Sequence, residues 1–324
     1  MKTKKYIKNI NKTIEDIKSL PIHKIDSDVK LLKKVFDISY ANDNFSLYNF
    51  DKTIQDELKL KLFTKLTPYS GSLSFLAIQI LAANSIMNKN NFVKKEEYFN
   101  KKCGIAINHL RANKTLVSAT KCKDGYKLNG VLTWASGYKI FDSLLIGFHY
   151  DNKEYEVLAP FEQTKGFKII DTPETFVAQS LNTVNVKLEN FFVKEENIVS
   201  SNPIGNYTKN KSLSKTIHYT LYALAKGAIK QIDNKKLKEI SKDRLKNEKN
   251  AFLKTNDSME LDQLRIELFK TAQDIITTAM IAHGGKSILA QKDLQRYYRE
   301  LIMFNSNGLN DIIKDLFVVR CMSN

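Results

Sequence analysis

The hydrophobic pattern of this chain changes period twice, and no other feature restricts its fold so strongly. Up to about Asn100, apolar residues recur at helical spacing. From Cys103 to Val199 they alternate at period two. Beyond the turn-rich SSNPIGNYTKNKS (200–212), helical spacing returns and continues almost to the end of the sequence. Helices, then strands, then helices is an uncommon order, and no internal repeat accompanies it. The pattern predicts a mainly α chain with a central β domain. Its parts are an N-terminal helical domain (1–102), a middle β-barrel or sandwich (103–201) and a C-terminal bundle of about four helices (202–324).

Each part has its own local signals. In the first, Tyr6, Ile10, Ile14 and Ile17 mark one face of an opening helix. Further helices are expected over Asp28–Tyr40, Ile54–Leu66 and Ser70–Met87, with Pro68 separating the last two. In the middle, about seven segments carry β-branched and aromatic residues at period two: GIAIN, TLVSATKC, YKLNGVLTWA, SLLIGFHY, YEVLAPF, FKIIDT and TVNVKLENFFV. Asp124-Gly125, Asn129-Gly130, Asp151-Asn152, Lys165-Gly166 and Thr172-Pro173 read as turns. In the third, helices are expected over Leu213–Ile232, Leu237–Phe252, Ser258–Ala282 and Lys292–Met303.

Bulk composition narrows the function classes. The formal charge is +16, but only six residues are arginine and the lysines run from Lys2 to Lys314. A general Lys, Asn and Ile bias accounts for this better than a dedicated nucleic-acid surface. The charge still suits anionic substrates or an acidic carrier protein. No run of about 18 or more apolar residues occurs, so no membrane span is expected. The basic N-terminus lacks the apolar core of a signal peptide, and a cytoplasmic location is the expectation. Cys103, Cys122 and Cys321 share no metal-ligand spacing, so no metal site is expected, and small buried thiols are the plain reading.

The segment DGYKLNGVLTWASG (Asp124–Gly137) resembles the hallmark of the acyl-CoA dehydrogenase superfamily. There a Gly-Tyr-x-Leu-Asn-Gly hairpin leads into Trp-x-Ser/Thr-x-Gly. Downstream, Gly166, Phe167, Ser180, Thr183, Glu189, Val193, Glu196 and Asn197 occupy positions matching a second family stretch. Ser72–Tyr98 is similar to the helix and acidic-tyrosine signature that precede the β domain. HGGKSILAQKDLQRYYRE (283–300) looks like the family's Gly-Gly turn followed by Leu-x-Arg-x-x-Arg-Asp. The resemblance covers most of the chain from Ser70 onward and implies a flavin. Trp134 would lie beside its ring and Ser136 would bond its hydride-accepting nitrogen, two residues on along the strand. Gly284 and Gly285 would approach the flavin of a neighbouring subunit, in a homodimer or homotetramer.

Three departures qualify this. The family's Thr/Ser-Glu-Pro-x-Ala-Gly-Ser-Asp loop is replaced by AINHLRANKT, where His109 and Arg111 are new polar groups in what reads as a solvated loop. The catalytic carboxylate is missing from both of the family's positions, where Asn307 and Ile217 stand. An amide has no useful basicity, so His218 is the one replacement base the alignment suggests, beside its plainer reading as a buried helix histidine. The Arg-x-x-Phe-Gly pattern that helps bind adenine is also lost, in DRLKNEKNAFLK, so FMN stands beside FAD.

Three functions remain open. One is a dehydrogenase-like oxidoreductase on an acyl-CoA or acyl-carrier thioester, with altered or weak chemistry and an electron-transfer partner. The second is a monooxygenase of the same fold, which takes reduced flavin from a flavin reductase and needs no α-proton base. The third is a non-catalytic member kept for binding or assembly.

Overall fold

A computed structural model describes residues 2–111, 115–209, 214–306 and 311–322. The first region is helical: α1 (Thr3–Lys18), α2 (Val29–Ala41), α3 (Lys52–Leu66), α4 (Gly71–Lys89) and the short α5 (Lys95–Phe99). α1 buries Tyr6, Ile10, Ile14 and Ile17, as their spacing predicts. The starts of α2 and α4 are fixed by side chains. Asp28 accepts from the Leu31 N–H and Ser70 from the Leu73 N–H, both at 3.0 Å, and each satisfies a donor that a first helical turn leaves open. α4 is long and apolar enough to cross a membrane by length and composition, but 67% of its apolar window is buried within the protein. Leu73, Leu76, Ala77, Ile80, Ala83 and Met87 make it a core helix.

Eight strands follow: β1 (Cys103–Ala106), β2 (Val117–Cys122), β3 (Gly125–Ala135), β4 (Ser143–Tyr150), β5 (Lys153–Pro160), β6 (Phe167–Asp171), β7 (Val184–Lys194) and β8 (Ile198–Pro203). They form one sheet in the order β6-β7-β3-β2-β4-β5-β8, with β1 also on β4. Three details differ from the sequence reading. β8 falls partly in the stretch read as turns; it has little apolar alternation and exists because β5 pairs with it, sealed by the Ser200 hydroxyl on buried Glu156 at 2.7 Å. The sheet is mixed, because β1 and β2 lie in succession along one edge of β4 and both run parallel to it. Alternation reports which face is buried, not strand direction. Asn129-Gly130 is not a turn but lies inside β3, where Asn129 opposes both Glu189 and Asn190 of a bulge in β7; Gly130 has φ 139° and an added Cβ would fall 1.9 Å from the Leu116 carbonyl.

The last region holds α6 (Asn206–Lys209), α7 (Thr216–Lys230), α8 (Lys235–Lys254), α9 (Ser258–His283), α10 (Asp293–Ser306) and α11 (Asp311–Met322). Asn234 and Asp257 cap α8 and α9 through the Leu237 and Glu260 N–H groups. α7 is the central helix, burying Tyr219, Leu221, Leu224, Ala225 and Ala228. One hydrophobic cluster runs from α1 across the sheet into this bundle. A smaller one joins Met87, Phe99, Cys103, Leu145 and Leu158, where burial pushes the Cys103 thiol up to about 12. Cys103 is thus a buried core thiol.

Candidate functional site

The end of β3 carries an irregularity that alternation does not foretell. Leu132 pairs with Val186 and Ala135 with Val184, so Thr133 and Trp134 together oppose Asn185. This two-against-one bulge puts Trp134 at φ 60°, held by its N–H donating to Asn185 Oδ1 at 3.0 Å. The indole is 60% exposed, which rules out a core role for the only tryptophan. Ser136 lies just beyond the strand and is buried, with its hydroxyl 2.8 Å from that of Thr183. Period-two alternation is therefore broken between Trp134 and Ser136, and it is the bulge that presents the ring.

Thr183 ends a tightly held loop. Gly137 N–H donates to the Leu181 carbonyl at 2.7 Å, and Asn182 Nδ2 to the Tyr138 carbonyl at 2.7 Å. Ala178 and Asn182 both have left-handed backbone, at φ 58° and 47°. The loop walls a cavity of about 660 Å³ lined by Thr172, Pro173, Glu174, Phe176, Gln179 and Thr183. That is within the range of small-ligand and cofactor sites. The Ser136–Thr183 pair has two hydroxyl hydrogens and uses one between the partners, so one donor remains for a ligand atom. Thr183 is the one member of this group that lines the cavity, Ser136 and Trp134 lying outside its lining; a planar heteroaromatic cofactor with an acceptor nitrogen, such as a flavin, fits the hydroxyl donor and the exposed indole.

Gly284 and Gly285 lie where α9 ends and a 3-10 turn (Gly284–Ile288) begins. Gly284 has φ 61° and ψ −154°, a conformation essentially confined to glycine. A Cβ on either glycine would meet nothing within 4 Å, so nothing in their own chain requires them to be small. Ile281 and Ile288 beside them are 80% and 69% exposed. Backbone and apolar side chains together make an open face.

His218 is placed elsewhere. It is buried in α7 with Nε2 2.9 Å from the Leu261 carbonyl and its ring 5.3 Å from Phe252, both partners from the bundle. Burial pulls its pKa down to about 4, against the Leu261 hydrogen bond, so it is a weak base. Asn307 lies outside the described residues. His109, read as part of a solvated loop, instead packs on the sheet with Nε2 2.8 Å from the Gly147 carbonyl, and burial lowers its pKa. Glu196 and Asn197 tie the sheet to the helical region through Lys94, at 2.9 and 3.2 Å.

The His218 shift has a measurable consequence. Between about pH 4 and pH 6.5 the unfolded chain takes up a proton that the folded histidine refuses, so this contribution to stability is present above about pH 6.5 and lost as pH falls through 4. The depression corresponds to as much as about 3 kcal/mol. Urea unfolding at about pH 7 and about pH 4.5 should show a smaller acid loss for His218→Gln than for the unaltered protein.

Sequence reasoning singled out Arg296, Arg299 and Glu300 only as motif letters, and missed the Arg296–Glu300 pair and the reach of Arg299 to Asp26. In the fold they join α10 to the N-terminal helical region. Arg296 is buried and donates to both Glu300 oxygens at 3.0 Å and to the Pro68 carbonyl at 2.7 Å. Glu300 also accepts from the Gly71 N–H at 2.8 Å, and an added Cβ on Gly71 would sit 2.4 Å from the Glu300 carboxyl carbon. Burial raises Glu300 to about 7, opposed by Arg296 and the Gly71 N–H, while the carboxylate holds Arg296 protonated. Arg299 reaches Asp26 at 2.6 Å. The spacing of Arg296 and Glu300, four apart on one helix, was the available signal.

No family model matches the sequence, and no curated protein matches it. Solved structures do match, over nearly the whole chain. Butyryl-CoA dehydrogenase from Megasphaera elsdenii superposes with TM-score 0.75 at 13% identity, covering 99% of both chains. KijD3 in complex with FMN and a dTDP-linked amino keto sugar gives 0.77 at 12% identity, covering 98% of this chain and 93% of its own. XiaF from Streptomyces sp., in complex with FADH2 and glycerol, gives 0.68 at 11% identity over 99% and 97%. At such identities the likeness is one of fold, and function has to be argued from the site.

Proposed function

We propose, from the premise that this chain has the acyl-CoA dehydrogenase fold, that it binds a flavin at the Trp134–Ser136 wall and serves as an oxidoreductase on an acyl thioester, with weak α-proton removal. The observation that carries the reading is the Ser136–Thr183 hydroxyl pair at 2.8 Å, beside a 60% exposed tryptophan and bordering a 660 Å³ cavity. Ser136 or Thr183 would donate to the ring, and Trp134 would cover it and exclude water. A bound flavin would supply the electron acceptance that no side chain of this protein can. FAD is the flavin expected, with FMN the alternative, because α8 runs unbroken through Asp243–Lys254 where the adenine-binding pattern is lost. Gly284 and Gly285, with Ile281 and Ile288 exposed beside them, support a homodimer or a dimer of dimers in which this turn meets the neighbour's flavin. The reading keeps three domains with the first boundary at 102/103, and moves the second from 201/202 to just after β8, which ends at Pro203. It also includes an electron-transfer partner, a thioester carried by coenzyme A or an acyl carrier, and the cytoplasm.

A second reading, a monooxygenase supplied with reduced flavin, is favoured by one observation. Ile217 stands at one of the family's two base positions, and its neighbour His218 is sequestered in the bundle with a pKa of about 4. Such an enzyme needs no base of that kind. The visible spectrum separates the readings: yellow protein holding FAD supports the first, and colourless protein that takes up reduced FMN supports the second. No binding of either flavin in either redox state would overturn both and leave a binding or assembly protein. Trp134→Ala should weaken flavin binding by about 0.5–1.5 kcal/mol beyond the loss of buried area, as for other stacked aromatics. Equilibrium titration showing unchanged affinity would remove the indole from the site.

A further inference from the structure

The loop that carries Thr183 is held from two other parts of the fold. Asp26, in the turn before α2, accepts the Ala178 N–H on Oδ1 at 2.8 Å, and its backbone carbonyl accepts the Ser180 N–H at 3.0 Å. The Ser72 hydroxyl reaches the same Oδ1 at 3.3 Å. Arg299, on α10, donates to Asp26 Oδ2 at 2.6 Å and to the Phe176 carbonyl at 2.9 Å. One aspartate and one arginine thus grip residues 176, 178 and 180, immediately before Thr183. The grip coincides with strain. Ala178 is left-handed, a conformation that residues other than glycine, asparagine and aspartate keep only where their surroundings impose it. Phe176 and Ala178 both line the cavity.

We propose that Asp26 and Arg299 are positioning residues, a clamp from the N-terminal helices and the bundle that holds the 176–183 loop so that Thr183 and Ser136 present their donor to the ligand. The function assigned to the clamp rests on the flavin reading of that wall; its hold on the loop does not. Both bonds leave one guanidinium nitrogen, Nη1, whose two N–H groups are fixed in the guanidinium plane while Nε is held by Gln295 at 2.9 Å, whereas a lysine offers one flexible point charge. An asparagine at position 26 keeps an acceptor for the Ala178 N–H but loses the charge.

Two measurements test this on the 324-residue chain. In hydrogen exchange, Asp26→Ala should speed the Ala178 and Ser180 amides by about tenfold or more relative to amides in the core of α4, with Asp26→Asn between it and the unaltered chain. In titrations with FAD and FMN, followed by quenching of Trp134, Asp26→Ala and Arg299→Gln should weaken binding about tenfold, with partial recovery in Asp26→Asn and Arg299→Lys. Arg320→Gln, which breaks the exposed pair with Glu267, should change neither readout. A merely structural role would lower thermal stability without this graded rescue. Unchanged exchange at Ala178 and Ser180 overturns the proposal, and so does a released loop with unchanged flavin affinity. If the unaltered protein binds no flavin, the flavin reading fails, and exchange alone decides whether the clamp holds the loop. If Asp26→Ala does not fold, Asp26→Asn and Arg299→Lys carry the same comparison.

Discussion

Replacing Arg296 by methionine is expected to destabilise the protein by about 3–5 kcal/mol, because it removes one member of a buried ion pair and leaves the other without its partner. Glu300 is fully buried and, among the described residues, would keep only the Gly71 N–H as a donor. Burial already holds its carboxyl up at about 7 with Arg296 present. Without the guanidinium, the folded state must bury an unpaired charge or take up a proton. The Pro68 carbonyl loses its Arg296 bond as well but keeps one from Tyr297 at 3.0 Å. The double variant Arg296→Met/Glu300→Gln keeps an acceptor for the Gly71 N–H and removes the charge, so it should recover much of the loss. Urea unfolding of the three proteins checks both statements. A single variant within about 1 kcal/mol of the parent would show the pair to be dispensable.

Flavin-loaded protein mixed anaerobically with a saturated acyl-CoA should bleach about 10²–10⁴-fold more slowly than an acyl-CoA dehydrogenase with its carboxylate in place, the usual contribution of a positioned base. On the proposed reading Asn307 and Ile217 stand at the two positions where that base would be, and His218, buried with a pKa of about 4, is a poor substitute. Stopped-flow reduction with a panel of acyl-CoA chain lengths makes the measurement. Rapid reduction by any of them would overturn the expectation, and the effect of His218→Gln on that rate would then show whether the histidine participates. Asn307→Glu should raise the rate if the thioester enters the site.

Much of the fold was legible because secondary structure and burial are written locally. The face of α1, the capped starts of α2 and α4, and the identity of α7, α8, α9 and α10 follow from residues a few positions apart. The left-handed Asp124, Asp151 and Asn152 likewise follow from hairpin chemistry. Trp134 and Ser136 could be picked out as a pair because they sit in one short motif. Their presentation could not, since alternation assumes an unbroken ladder and the bulge at Trp134 breaks it.

What remained for the tertiary structure depends on distant partners. Whether β1 and β2 run parallel to β4, and whether Ile198–Pro203 is a strand at all, is decided by the edge each segment meets. The asparagine and glycine at 129 and 130 read locally as a turn, and the pairing of β3 with β2 and β7 made them strand instead. Asp26 has nothing in its own neighbourhood to mark it. It matters because folding brings it to Ala178 and Arg299, 152 and 273 residues away. The sequence alone therefore determined which elements form and which faces they bury, since periodicity and capping act over a few residues. Only the tertiary structure decided the strand directions, the bulges and the clamp, because an ion pair or a strand pairing leaves no trace in either segment until the two meet.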